Sequence, residues 1–381
     1  MKFLLLLLSL LLFILLPGCS SADGYDGDYK GSGEYYETGN GKDNNNSGII
    51  TAAEWNDLDH WSFWKNLLLD QNYSGKVSYW NFYTNNRISI VLKNIEKQPI
   101  INATLLLIKG NKIVWESKTD NLGKAELWID LFDEKSPNLN EYSLVINGNK
   151  IDTSLKLIDE GINEVEINSS LEKLNKVELS FVVDATGSMD DELEFLKSDL
   201  KDVIKKIQQN NSNLDIFTSA VFYRDRGEDY ITKVSNFSNN MSTTLNFINA
   251  QNASGGGDFP EAVEVGISKS LKLNWSKDAK TRIMFLILDP PHHNSNILAT
   301  LHNSIKTASK KGIKLIPIVA SGIDKNTEFL MRFFAISTNG TYVFITDDSG
   351  VGDNHLEASV GDYQVENLNA LMIRLIKKYT K

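Results

Sequence analysis

A chain of 381 residues is long enough for two domains, each with its own core, and 41% hydrophobic with 23% charged residues is an ordinary globular balance. A formal net charge of -10 with no basic block excludes nucleic acid as a partner, because phosphates would be repelled. The single cysteine, Cys19, excludes an internal disulfide and a cysteine-rich zinc site. At the N-terminus Lys2 precedes an apolar run from Phe3 to Leu16, broken only by Ser9. The run is shorter than the ~20 residues of a spanning helix and suits the apolar core of an export signal.

The run ends in Leu16-Pro17-Gly18-Cys19, which resembles the lipobox of bacterial lipoproteins, although Pro17 is an unusual occupant of its position. The resemblance implies a signal over 1–19, acylation of the Cys19 thiol, and a lipid-anchored protein of the bacterial envelope, at the outer membrane or cell surface. Residues 20–48 are rich in Gly, Asp, Asn, Ser and Tyr and have no apolar period, which predicts a flexible tether. Asp23, Asp26, Asp28, Glu34 and Glu37 make it acidic. An acidic stretch behind the cysteine is similar to surface-export signals of some Gram-negative lipoproteins, and a plain solvated linker reads equally well.

Residues 49–75 are expected to hold a short helical segment. Thr51 with Glu54 three residues on is a helix-start pattern, and Trp55, Trp61 and Trp64 read as the buried face of a helix rather than as a sugar platform. Over 76–170 the period shifts towards two, predicting strands at 87–92, 103–108, 112–115, 125–129 and 142–146 with Gly, Asn, Asp and Pro between them. Strands at this spacing suggest a small β-sandwich. Lys97-Gln-Pro-Ile through Thr119-Asp-Asn-Leu-Gly-Lys-Ala resembles carboxypeptidase-regulatory-like and other Ig-like modules, and carries no evident chemistry.

From Val177 to Lys381 strands alternate with helices, the pattern of an α/β domain with a doubly wound, mostly parallel sheet. Strands are predicted at 177–183, 215–223, 230–234, 282–288, 314–319 and 342–345. Helices are predicted at 193–207, 243–249, 260–271, 296–310, 327–337 and 365–378.

The first of these strands runs into Asp184-Ala-Thr186-Gly-Ser188-Met. Loops at the carboxyl ends of such strands gather ligands, and one carboxylate with two hydroxyls at alternate positions is a donor set for a hard cation. The residues look like the Asp-x-Ser-x-Ser metal-ion-dependent adhesion site of von Willebrand factor A domains, with Thr in the middle. Gly255-Gly-Gly-Asp258-Phe-Pro-Glu261 resembles the Gly-rich loop of one branch of that family, with Asp258 where other members carry a coordinating Thr. Phe285-Leu-Ile-Leu-Asp289-Pro-Pro-His292 resembles the strand ending in the last coordinating Asp. The resemblance implies a Mg²⁺ site, or one for Mn²⁺ or Ca²⁺, held by Asp184, Thr186, Ser188, Asp258 and Asp289. It also implies a protein partner whose acidic side chain completes the metal shell. Three carboxylates would leave that site negative, so some of them would act through water.

Asp225 reads either as an acceptor behind the ligands or as the ion-pair partner of Arg224 or Arg226. His292 and His293 read as rim residues rather than zinc ligands, since adjacent histidines point apart, and His292, like Asp225, is a candidate for a place behind the ligands. Neither a Ser-His-Asp order with a nucleophile elbow nor His-Glu-x-x-His is present, so the expectation is a non-enzymatic, membrane-anchored adhesion protein. The alternative is an envelope assembly or regulatory scaffold in which the metal is structural; a metal-dependent hydrolase stands behind both.

Overall fold

The computed structural model describes residues 47–381 except 211–212, 257–261, 290–296 and 353. Cys19, the residues ahead of Ser47, Asp258, His292 and His293 lie outside the described residues. The described residues form one compact unit.

The first described element is not the expected helix. Thr51–Trp55 is a strand, β1, followed by helices α1 (Trp61–Leu67) and α2 (Gln71–Trp80). The two side chains that suggested a helix start are taken by partners some 290 to 320 residues away. Thr51 exchanges hydroxyl hydrogen bonds with Thr346, and the Glu54 carboxylate meets Arg374 at 2.7 Å and Lys378 at 3.2 Å. Tertiary partners here override a local capping preference. Of the three tryptophans only Trp64 is a buried helical residue, while Trp55 ends β1.

Residues 87–167 form two small sheets. One joins β2 (Arg87–Asn94), β5 (Lys124–Trp128) and β8 (Asn163–Ile167); the other joins β3 (Thr104–Lys109), β4 (Lys112–Lys118), β6 (Tyr142–Ile146) and β7 (Asn149–Ile151). Burial alternates along β3 and β6, so one face of each is apolar. Ile88, Ile90, Leu105, Leu107, Leu127 and Leu144 share one core, an arrangement compatible with the expected sandwich.

The remaining chain builds an α/β layer. Its strands are β9 (Lys176–Asp184), β10 (Asp215–Tyr223), β11 (Thr232–Ser238), β12 (Thr281–Leu288), β13 (Ile313–Val319), β14 (Tyr342–Ile345) and β15 (Val365–Asn367). Its helices are α3 (Asp190–Asn210), α4 (Met241–Asn249), α5 (Val263–Leu271), α6 (Leu298–Lys311), α7 (Lys325–Ser337) and α8 (Leu368–Thr380). The sheet order is β11-β10-β9-β12-β13-β14-β1-β15; the stretch from β10 to β14 is parallel, and β11 and β1 pair antiparallel with it. β1 therefore belongs to this sheet, and the small sheets are inserted in sequence between two of its strands rather than preceding it. The helix expected from Val365 starts at Leu368, because Val365–Asn367 pairs with β1 first.

Both faces of the sheet are covered, which explains the near-continuous apolar strands. Val177, Leu179, Phe181 and Val183 of β9 and Ile283, Phe285 and Ile287 of β12 pack with α3, α4 and α8. The alternate residues Val182, Met284, Leu286 and Leu288 face α5, α6 and α7. The inserted sheets dock on that second side. There Trp115 donates its indole N–H to Ser309 Oγ at 2.9 Å and Phe82 stacks on Phe333 at 3.7 Å, while Asp120 accepts from Lys314 of β13 and from Asn339.

Candidate metal centre

β9 sits between β10 and β12 with Tyr223 opposite Asp184 and Ile287 opposite Val183. Parallel pairing thus puts Asp184, the end of β10 and Asp289, one residue beyond β12, at the same carboxyl edge of the sheet. The backbone after β9 turns at once, and Asp184 Oδ1 accepts the Thr186 N–H at 2.9 Å and the Thr186 hydroxyl at 2.7 Å. Thr186 Oγ1 lies 3.2 Å from Ser188 Oγ, so the three expected donors of this loop are adjacent. Asp184 and Thr186 are fully buried, Asp289 is nearly so, and Ser188 opens to solvent.

The neighbouring loop is pressed against this turn. Gly187 donates its N–H to Gly255 O at 3.0 Å, and Ser254 donates to Ala185 O at 3.1 Å. A β-carbon at Gly187 would stand 2.6 Å from Gly255 O, and one at Gly255, where φ is +82°, would meet the Glu228 carboxylate at 2.1 Å; only glycine permits this approach. Arg224 braces both loops, donating to Ala185 O at 3.0 Å and Asn252 O at 2.8 Å. Arg226 pairs with Glu264 at 2.8 Å. Asp225, which lies between these two arginines in sequence, is buried.

Electrostatics single out this edge. Burial pushes the Asp184 carboxyl up to about 6 against the pull of its Thr186 hydrogen bonds. Asp289 is pushed up to about 8, by burial first and then by the Asp184 charge, with Ser188 lowering it and Glu192 raising it. Asp184 Oδ2 and Asp289 Oδ1 are buried and make no hydrogen bond. Two orphaned carboxylate oxygens beside two hydroxyls suit a hard dication, which restores the charged form that burial disfavours. Among the described residues no three His, Cys, Asp or Glu side chains are grouped so as to hold a metal ion jointly.

Two residues near the site had not been expected. Glu192 in the first turn of α3 and His355 in the segment after β14 meet at 3.3 Å. Glu192 falls on the apolar stripe of Met189, Leu193 and Leu196, a signal open to sequence reading; His355 carries none.

Residues 178–360 match the family model described as the von Willebrand factor A domain. The alpha-protein kinase vwkA of Dictyostelium discoideum is 28% identical over 173 residues, 45% of this chain and 27% of that protein. The putative ariadne-like RING finger protein R811 of Acanthamoeba polyphaga mimivirus is 33% identical over 131 residues, 34% of this chain and 13% of that protein. The chain thus spans under a third of the length of either relative. Among solved structures, the pilus adhesin SpaC from Lactobacillus rhamnosus GG aligns with 55% of this chain and 31% of its own, at TM-score 0.41 and 13% identity. The SpRpn10 VWA domain aligns with 45% of this chain and 88% of its own, at TM-score 0.35 and 12% identity. With its parallel strands, helices on both faces and the family match, the stretch from residue 178 to 360 has a von Willebrand factor A-like α/β fold.

Proposed function

We propose that this chain is a lipid-anchored envelope protein whose A-type domain binds a protein partner through one divalent cation. The pair of buried, unpartnered oxygens, Asp184 Oδ2 and Asp289 Oδ1, carries this reading. Asp184, Thr186, Ser188 and Asp289 would hold Mg²⁺, Mn²⁺ or Ca²⁺, and Asp258 would join them from the Gly-rich loop. The cation supplies a Lewis-acidic position for an acidic side chain of the partner. Ser188, the one exposed member among the described residues, marks the side from which that group would arrive. The chain's own residues would hold the ion; no nucleophile is assigned, and the reading is non-enzymatic. Cys19 acylation fixes the protein to the membrane, and the inserted β region acts as a spacer.

Crosslinked co-purification from intact cells tests this, comparing parent, Asp184→Ala and chelator-treated parent. A partner recovered with the parent and lost in both other arms is the expected result; a partner recovered equally in all three contradicts it. Labelling with a palmitate analogue, expected in the parent and absent in Cys19→Ser, tests the anchor separately.

A further inference from the structure

Glu192 stands four residues beyond Ser188, and its side chain is only 1% exposed. A carboxylate buried on the apolar stripe of a helix is costly unless something compensates it. One oxygen is compensated: Oε1 accepts the Ser321 N–H, from the turn after β13, at 3.2 Å and faces His355 Nε2 at 3.3 Å. His355 is clasped in turn by Asp347, whose Oδ1 accepts its backbone N–H at 3.0 Å and lies 2.7 Å from its Nδ1. A ring held between two carboxylates is favoured as the cation, which offsets the charge on Oε1. The segment wraps closely: a β-carbon at Gly352, where φ is +84°, would stand 2.1 Å from Glu192 Oε1. The other oxygen, Oε2, is buried and makes no hydrogen bond. Glu192 lies near enough to Asp289 for its charge to disfavour the Asp289 carboxylate.

Glu192 is not a third direct carboxylate, because among the described residues no such triplet converges. We infer that Glu192 is a further residue of the cation site, an outer carboxylate whose free Oε2 accepts a hydrogen bond from water on the ion, and that His355 and Asp347 are its positioning residues. Mg²⁺ keeps several waters, and their protons need acceptors of this kind. The inference rests on the cation-site reading above and adds to it a residue from α3 and a clasp from the segment after β14.

Calorimetric titration of Mg²⁺ into the full chain in detergent tests it. Glu192→Gln retains an oxygen for the Ser321 N–H while losing the charge. It is expected to bind Mg²⁺ about tenfold more weakly, with an unchanged thermal midpoint in chelator. Glu192→Asp, which keeps the charge, is expected between parent and Glu192→Gln, and His355→Gln and Asp347→Asn lose affinity by a smaller factor. Parent-like affinity in Glu192→Gln, with binding abolished in Asp184→Asn, overturns the inference and leaves the cation site standing. A parent that takes up no Mg²⁺ overturns both. Should Glu192→Gln fail to fold, parent-like affinity in both His355→Gln and Asp347→Asn overturns the inference.

Discussion

Arg332 on α7 and Asp184 at the end of β9 are both fully buried charges in one compact unit, yet their surroundings treat them differently. Arg332 makes a two-pronged contact with Asp57 at 2.9 and 2.6 Å, reaches Ser359 O at 2.5 Å and faces Glu328 at 3.4 Å. Glu328 is satisfied in turn by Tyr73, Lys325 and the Ser359 N–H. The Arg332 guanidinium is held above its ordinary range by these carboxylates despite burial. Around Asp184 the carboxyls are pushed up instead, and oxygens are left over. A network that closes on itself joins α1's preceding loop, α2 and α7; one that does not close is a place for an ion.

The largest expected effect strikes the closed network. Arg332→Met leaves Asp57 buried without its cation and Glu328 with Lys325 alone, and should cost about 4 kcal/mol in denaturant unfolding, with or without Mg²⁺. The open site should behave in the opposite way. Asp184→Asn relieves crowded negative charge, so stability in chelator should stay within about 1 kcal/mol of the parent. What it loses is the gain from Mg²⁺, about 2.7 kcal/mol at a hundredfold excess over Kd. A Mg²⁺ gain that survives Asp184→Asn would erase the distinction between the two networks.

The two regions should also differ in pH dependence. Asp184 and Asp289, pushed up to about 6 and about 8, keep protons in the folded state that unfolded carboxyls release near pH 4. The unfolded chain then binds fewer protons, so their contribution to stability falls as pH rises from about 4 to 8, and saturating Mg²⁺ flattens that slope. Asp120, held below its ordinary value by Lys314 against the effect of burial, has the opposite sign: its contribution is present at neutral pH and fades on acidification. Unfolding curves of the parent, Asp289→Asn and Asp120→Asn across this range separate the two trends. The smallest effect is at β1, where Thr51→Val removes the hydroxyl pair with Thr346 and should cost about 1 kcal/mol.

Legibility in the sequence followed the reach of the forces involved. β10 and β14 were bounded to the residue, because strands buried on both faces read as short apolar runs. The place of Asp184, Thr186, Ser188 and Asp289 at the carboxyl edge of the sheet was legible because each ends or follows such a strand. β1 misled because Thr51 and Glu54 form a local helix signal whose side chains find Thr346, Arg374 and Lys378 only in the folded molecule. α2 also escaped notice, having little amphipathic pattern. Glu192 could have been noticed as a carboxylate on an apolar stripe. Its clasp by His355 spans 163 residues of sequence and depends on the path of an irregular segment, which no period encodes.

The most direct measurement is Mn²⁺ uptake by the full chain, followed by electron paramagnetic resonance as free Mn²⁺ signal is lost. One bound ion per chain, displaced by Mg²⁺ and absent from both Asp184→Asn and Asp289→Asn, is the expected result. Uptake that persists in either variant, or none in the parent, contradicts a shared ion between β9 and β12.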